Sequence, residues 1–200
     1  MPVLALEDAL SCIDGERLRG GVMLLCGSFV LPRLVEAYDD LFSWTRKHGV
    51  DVALDTGWPP GGWRNETIVK AQGWLANCRH LLLNEVEAAS LTGKSNPEEA
   101  ARVLIGLMPE RHSAVVVKRG SRGAIGRSSQ GEIVNVSAME IVVTDTIGAG
   151  DVFNAGYLLA VASGKGIAEA VRSGVETASA AISTVPRTYA GVDRRSEQLR

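Results

Sequence analysis

The sequence D-T-I-G-A-G-D at residues 145–151 joins an apolar run to a segment with helical spacing of small and apolar residues. Gly148 and Gly150 carry no Cβ atom and Ala149 carries a minimal one, so their backbone N–H groups can approach a ligand closely. The positive end of the following helix lies behind these amides, which suits a phosphate that gains charge in a transition state. The pattern predicts a strand–loop–helix unit whose loop binds an anion.

A carboxylate stands directly after these glycines. Asp151 lies at the predicted start of the helix, near 151, where it can accept a proton from an attacking hydroxyl group. A plainer interpretation makes Asp151 an N-cap and the glycines a tight turn. The complete seven-residue string, placed between a strand and a helix, favours the chemical interpretation.

The remainder of the chain alternates between strand-like and helix-like spacing of apolar residues. Buried strands are predicted at 22–26, 50–54, 80–83 and 114–117, with shorter strands at 124–125, 133–134 and 141–143. Among the helices between them, one is predicted to be capped by Asn65 and another by a capping box from Ser95 to Glu98. This alternation predicts an α/β fold with a mainly parallel sheet, whose ligands bind beyond the carboxyl ends of the strands.

The 145–151 string matches the pattern D-T-x-G-A-G-D completely, and the chain therefore resembles the PfkB family, the ribokinase-like carbohydrate kinases. The resemblance implies a three-layer α/β/α fold and transfer of the γ-phosphoryl group of ATP to a hydroxyl of a sugar or nucleoside. It implies that Asp151 is the catalytic base and that Gly148, Ala149 and Gly150 form the anion hole. It further implies a monovalent cation such as K⁺ beside the loop, bound by Asp145 and Ile147.

A second segment matches the family in the expected order. Asn84-Glu85-Val86-Glu87 resembles the family's N-x-x-E motif, in which Asn84 and Glu87 support Mg²⁺ and phosphate through ordered water. Mg²⁺ prefers oxygen ligands and keeps several waters, so an outer-shell role suits this pair. The same spacing at a helix start is also that of a capping box. The two roles are compatible.

A third segment, residues 115–123, resembles the family's strand and G-x-x-G turn, which lies against the nucleotide. Gly120 and Gly123 would let the backbone pass close to ribose and phosphates, and Lys118 stands at the strand end, within reach of a phosphate. The alternative for this segment alone is an ordinary β-turn with solvated basic side chains.

Composition limits the other classes of function. The chain has 200 residues, with 21 Lys+Arg against 23 Asp+Glu and a formal charge of −2, which argues against a nucleic-acid binder. No apolar run approaches the roughly 18 residues of a membrane span, and the first ten residues contain Glu7 and Asp8 rather than a basic leader. Three cysteines without C-x-x-C spacing suggest thiols in a reducing compartment. These features predict a cytoplasmic protein without membrane contact.

Residues 1–200 are expected to form a single, partial kinase domain. The family's sugar-binding G-G-x-x-x-N motif and its small β lid have no counterpart before Val22. The chain would then be part of a longer kinase, or another chain would supply the lid, and a homodimer is compatible with either. The main alternative is a non-catalytic ATP-binding remnant of the same fold. A dinucleotide-dependent oxidoreductase is weaker, because G-x-G-x-x-G is absent.

Overall fold

The computed structural model describes residues 5–187 of the chain. Its strands are β1 (Val22–Cys26), β2 (Asp51–Asp55), β3 (His80–Asn84), β4 (Ala114–Lys118), β5 (Ala124–Ser128) and β6 (Ile133–Val136). They follow one another in sequence order in a six-stranded sheet. Strands β1 and β2 are parallel, with Val22 opposite Asp51, and β2 and β3 are parallel, with Ala53 opposite His80. The predicted mainly parallel α/β fold is confirmed.

Helices alternate with the first strands and then close the described part of the chain. They are α1 (Leu6–Ser11), α2 (Pro32–Glu36), α3 (Tyr38–His48), α4 (Asn65–Leu75), α5 (Glu85–Thr92), α6 (Pro97–Ile105), α7 (Ala149–Ala162) and α8 (Ile167–Ile182). Two short 3-10 turns occupy Ser28–Val30 and Gly120–Arg122. Among residues 5–187, no helix combines the length and the apolar character that a bilayer crossing requires.

The chain divides into two compact units. The first unit comprises residues up to 117 together with 127–132. Its core is formed by the centres of β2, β3 and β4, where Leu54, Leu82 and Val116 are completely buried. Burying one such side chain contributes about 1.5–3 kcal/mol. Continuous apolar strands of this kind are typical of a parallel sheet that is covered on both faces.

The second unit comprises, among the described residues, 118–126 and 133–187. Helices α7 and α8 pack closely along each other in this unit. A Cβ atom on Gly156 would lie 2.5 Å from Oγ1 of Thr177, and one on Gly174 would lie 2.8 Å from the ring of Phe153. The helix pair therefore requires glycine at both positions, and its close packing fixes the direction of α7.

The starts of α4 and α6 differ from the sequence prediction. Helix α4 begins at Asn65 itself, and the N-cap position is Arg64, whose N–H donates to Oγ1 of Thr67 at 2.8 Å. Helix α6 is capped by Asn96 rather than Ser95, since Oδ1 of Asn96 accepts the N–H groups of Glu98 and Glu99 at 2.8 and 3.2 Å. Pro97 explains the shift, because proline at the first helical position holds the preceding residue in extended backbone.

The predicted strand at 141–143 is wrong. These residues lie outside the helices and strands, and Val142 is 86% exposed. β-branched residues favour a strand only where they can pack on a pleated, half-buried surface. Here the chain is instead attached to the end of α8, because the N–H of Thr144 donates to the carbonyl of Ile182 at 2.8 Å. Helix α7 also begins two residues earlier than predicted, at Ala149.

The burial of His80 leads us to expect that the stability of the first unit depends on pH. Burial lowers the pKa of His80 to about 4; the charge of Asp51 raises this pKa, and the charge of Arg79 lowers it further. The folded state therefore binds fewer protons than the unfolded state, where histidine titrates near 6.5. The stabilisation is fully present above about pH 6.5 and is lost as pH falls towards 4, by about 3 kcal/mol in total.

Denaturant unfolding between pH 7.5 and 4 tests this expectation. The free energy of unfolding should fall across that window for the unmodified protein and fall distinctly less for His80→Gln. His112→Gln, at an exposed position, serves as the matched control and should keep the slope of the unmodified protein. Equal slopes for His80→Gln and the unmodified protein would show that His80 is not the responsible group.

Candidate active site

The loop at residues 145–151 ends in a helix N-terminus with a left-handed cap. Gly148 is the N-cap of α7, at φ 70° and ψ 10°, a conformation that residues with a Cβ rarely adopt. The N–H of Ala149 donates to the carbonyl of Thr146 at 3.1 Å, and that of Val152 to the carbonyl of Gly148 at 3.0 Å. The amides of Gly150 and Asp151 lie in the first turn, where a helix has no carbonyl to offer them. Such amides, at the positive end of the helix, suit an anion.

Asp151 is the third residue of α7, and its side chain is exposed. Its carboxylate lies near the start of the helix: a Cβ atom on Gly148 would be 3.8 Å from Oδ2 of Asp151. The same Cβ position lies 3.7 Å from Nη1 of Arg187. A carboxylate and a guanidinium group therefore flank the N-cap glycine.

Asp145 organises the other end of the loop. Its Oδ1 accepts the N–H of Ile147 at 2.9 Å, and its Oδ2 forms an ion pair with the guanidinium of Arg187. The Ile147 amide, followed by the Arg187 side chain, lowers the pKa of Asp145. Each carboxylate oxygen thus has a partner within the unit, and the side chain of Ile147 points to solvent, being 79% exposed.

Lys118 approaches the same helix from the end of β4. Its Nζ donates to Oδ1 of Asn154 at 3.1 Å, and Asn154 is completely buried in α7, one turn after Asp151. A Cβ atom on Gly150 would lie 3.6 Å from Nζ of Lys118. The amine is therefore held beside the first turn of α7, where it adds positive charge to that of the helix end.

The turn after β4 is a 3-10 turn of three residues. Gly123 follows it at φ 83°, and its N–H donates to the carbonyl of Gly120 at 3.0 Å. A Cβ atom on Gly123 would lie 1.9 Å from the carbonyl oxygen of Val136 and 2.6 Å from the amide nitrogen of Ala138. This segment is thus more than a solvated β-turn, because its backbone packs directly against the chain that follows β6.

Lys118, the turn after β4 and residues Thr146, Ala149 and Gly150 of the loop line one cavity of about 480 Å³ in the second unit. Its polar lining includes Lys118, Gly120, Ser121, Gly123, Thr146 and Gly150. Its apolar lining includes Met139, Ile141, Val143, Phe153, Val175 and Ile182. Of the predicted residues, the cavity brings together Lys118, Gly120, Gly123, Ala149 and Gly150, and its lining carries the charged side chains of Lys118 and Glu140 beside the apolar ones.

Asn84 and Glu87 belong to the first unit, at the junction of β3 and α5. Oδ1 of Asn84 accepts the N–H of Glu87 at 2.9 Å, and Oε2 of Glu87 accepts the N–H of Asn84 at 2.9 Å. The capping box considered for this motif is therefore present. Glu87 is only 4% exposed. Among residues 5–187, no group of three or more His, Cys, Asp or Glu side chains is arranged to hold a metal ion.

Sequence reasoning missed two side chains of this site. The sequence does contain a signal for Asn154, because it is a polar residue within the apolar run of α7. Arg187 was not, because it is 42 residues from Asp145 and follows α8. Nothing in the spacing of charges along the chain connects these two positions.

The family model described as pfkB family carbohydrate kinase matches residues 18–189. A 5-dehydro-2-deoxygluconokinase of Bacillus subtilis is 30% identical over 181 residues, covering 86% of this chain and 54% of that protein. The structure of a PfkB protein from Polaromonas sp. JS666 superimposes with a TM-score of 0.73 at 25% identity, covering 92% of this chain and 60% of the other.

A fructokinase double mutant from Vibrio cholerae O395, in its fructose, ADP and potassium ion bound form, shares the fold. Its TM-score is 0.71 at 20% identity, covering 83% of this chain and 55% of that one. The chain spans about half the length of the curated relatives it matches.

Gly123 provides a test of the backbone packing beside the cavity. Gly123→Ala introduces a clash with backbone atoms that cannot move aside, in addition to the strain of a positive φ. Gly131→Ala is the matched control, at φ 91° with nothing within 4 Å of the added Cβ. We expect Gly123→Ala to lower the free energy of unfolding by about 1–3 kcal/mol more than the control does. Equal losses for the two variants in denaturant unfolding would contradict the close approach.

Proposed function

Since the chain belongs to the PfkB family of carbohydrate kinases, we propose that it transfers the γ-phosphoryl group of ATP to a hydroxyl of a sugar or nucleoside. The observation that carries this proposal is the combined geometry at the start of α7. The amine of Lys118 lies close to Gly150, and the carboxylate of Asp151 lies close to Gly148. Both groups are therefore near the amides of the first turn of α7. This set of groups supports phosphoryl transfer, which depends on charge stabilisation and positioning.

The cavity of the second unit suits a nucleotide. Its volume of about 480 Å³ lies within the range of small-molecule sites, roughly 300–1,000 Å³. Its apolar wall, which includes Ile141 and Val175, offers a surface for a purine base. Its polar wall, with Gly120 and Lys118, offers backbone groups and a positive charge for ribose and phosphates. We assign ATP to this cavity, and the ADP bound by the V. cholerae fructokinase supports the assignment.

The proposed anion hole lies at the N-cap and first turn of α7. The amides of Gly148 and Gly150 would donate to the oxygens of the migrating phosphoryl group as their charge grows. The Ala149 amide already donates to Thr146, so it would join the hole by sharing its proton or by leaving that bond. One preorganised donor of this kind is worth roughly 3–4 kcal/mol in the transition state.

Asp151 would act as the general base. The proton of the acceptor hydroxyl passes to the Asp151 carboxylate while the hydroxyl oxygen forms a bond to the γ-phosphorus. The bond from that phosphorus to the oxygen bridging to the β-phosphate breaks, and ADP leaves with the electron pair. The exposure of Asp151 lets an acceptor reach it, and its place beside Gly148 puts it next to the proposed anion hole. The acceptors named for the relatives support a sugar.

Mg²⁺ would be held mainly by phosphate oxygens and water, which matches the ion's preference. Asn84 and Glu87 offer oxygen-bearing side chains of the required kind, and their capping bonds engage Oδ1 of Asn84 and Oε2 of Glu87. The outer-shell role, in which they would orient waters of the ion, is proposed from the resemblance of residues 84–87 to the family's N-x-x-E motif. The bound ion would neutralise phosphate charge.

Asp151→Asn provides the test of this function. The amide keeps the shape of the side chain but accepts a proton far less readily, so kcat should fall by about 10²–10⁴-fold while ATP affinity changes little. The measurement is phosphate transfer from ATP to a panel of sugars and nucleosides, with ATP binding followed by calorimetry. Glu169→Gln is the matched control, since Glu169 occupies the corresponding third position of α8 and should be dispensable.

The outcomes separate the two candidate functions. Turnover retained by Asp151→Asn would remove Asp151 from its proposed role. ATP binding by the unmodified chain without transfer to any acceptor would instead favour the non-catalytic ATP-binding module.

A further inference from the structure

Arg187 pairs with Asp145, one of the two residues that the family resemblance implied for a monovalent cation. The guanidinium forms an ion pair with Oδ2 of Asp145, and the other carboxylate oxygen accepts the Ile147 amide. The positive charge of the guanidinium already lies against Oδ2 of Asp145, and a K⁺ ion at the same oxygen would be repelled by it. Asp145 therefore does not fit a monovalent cation in this conformation.

The guanidinium also reaches the anion-binding end of the loop. Its Nη1 lies 3.7 Å from the position of a Cβ on Gly148, the N-cap of α7. The Arg187 side chain is only 26% exposed, and Asp145 is 46% exposed, so the pair is partly screened from water. One side chain therefore contacts the carboxylate at the start of the loop and approaches the glycine at its end.

The backbone supports the same arrangement. The N–H groups of Thr144 and Asp145 donate to the carbonyl of Ile182, the last residue of α8, at 2.8 and 3.4 Å. Arg187 follows α8 by five residues. The phosphate loop is thus bound at two points near the end of α8, by the carbonyl of Ile182 and by the guanidinium of Arg187.

We infer that Arg187 is a positioning residue that supplies the fixed positive charge for which a monovalent cation would otherwise be required. It holds Asp145 and the loop in the form that presents the Gly148 and Gly150 amides. This inference rests on the proposed function, because the loop is taken to be the phosphate site. Its consequence is that the folded site does not depend on K⁺.

The test compares thermal unfolding in KCl and in choline chloride at equal ionic strength. The unmodified chain should show the same midpoint in both salts. Arg187→Met removes the charge and exposes Oδ2 of Asp145, so its midpoint in choline chloride should be lower by roughly 2–4 °C and should recover in KCl. Arg172→Met, at an exposed position on α8, is the matched control and should behave like the unmodified chain.

Calorimetric binding of ADP in the two salts gives a second readout. The affinity of the unmodified chain should be the same in both, whereas Arg187→Met should bind about tenfold more weakly in choline chloride and regain affinity in KCl. Failure of every variant to bind ADP would count against the proposed nucleotide site. The unfolding midpoints would still decide the role of Arg187.

Two results would overturn the inference. One is a midpoint of the unmodified chain that K⁺ raises above its value in choline chloride. The other is an Arg187→Met protein that is destabilised but does not respond to K⁺, which would make Arg187 a structural side chain only. If Arg187→Met does not fold, Arg187→Lys takes its place. It keeps the charge and should be independent of K⁺, and a K⁺-dependent midpoint in that variant would equally contradict the proposal.

Discussion

The start of α7 is the constraint on which the proposed site depends. A helix leaves its first amides without helical partners, and in this protein Gly148 turns the chain so that the helix begins immediately after the loop. A residue with a side chain would disfavour that left-handed cap, and its Cβ would lie in ordinary contact with the oxygen of Asp151 and the guanidinium of Arg187. The phosphate chemistry proposed here therefore depends on one backbone conformation, and neighbouring side chains contribute charge to it.

Packing far from the loop keeps this helix end in place. The α7–α8 contact needs glycine at 156 and 174, where any side chain would meet Thr177 or Phe153. Close-packed interiors transmit small displacements rather than absorbing them. The end of α8 in turn holds the loop through the Ile182 carbonyl. The stability of the helix pair and the geometry of the loop at residues 145–151 consequently depend on the same packing.

The sequence predicted the features whose causes are local. Continuous apolar runs located the buried strands, and the small residues of 145–151 located the loop, because both patterns act within a few residues. The strand predicted at 141–143 failed because strand formation also needs a surface to pack on, and β-branched composition alone does not provide one. Arg187 could not be identified, since an ion pair across 42 residues is set by the packing of α8. The roles assigned to Asp151, Lys118 and the glycines are still predictions, although the structure groups several of them around one cavity.

The most direct test of the central claim follows the backbone amides themselves. In a ¹H–¹⁵N correlation titration of the chain with Mg²⁺ and ATP, we expect saturable shifts of the Gly148, Gly150 and Asp151 amides, together with that of Gly120 in the cavity wall. Saturable nucleotide binding that leaves the amides of residues 148–151 unperturbed would contradict this expectation.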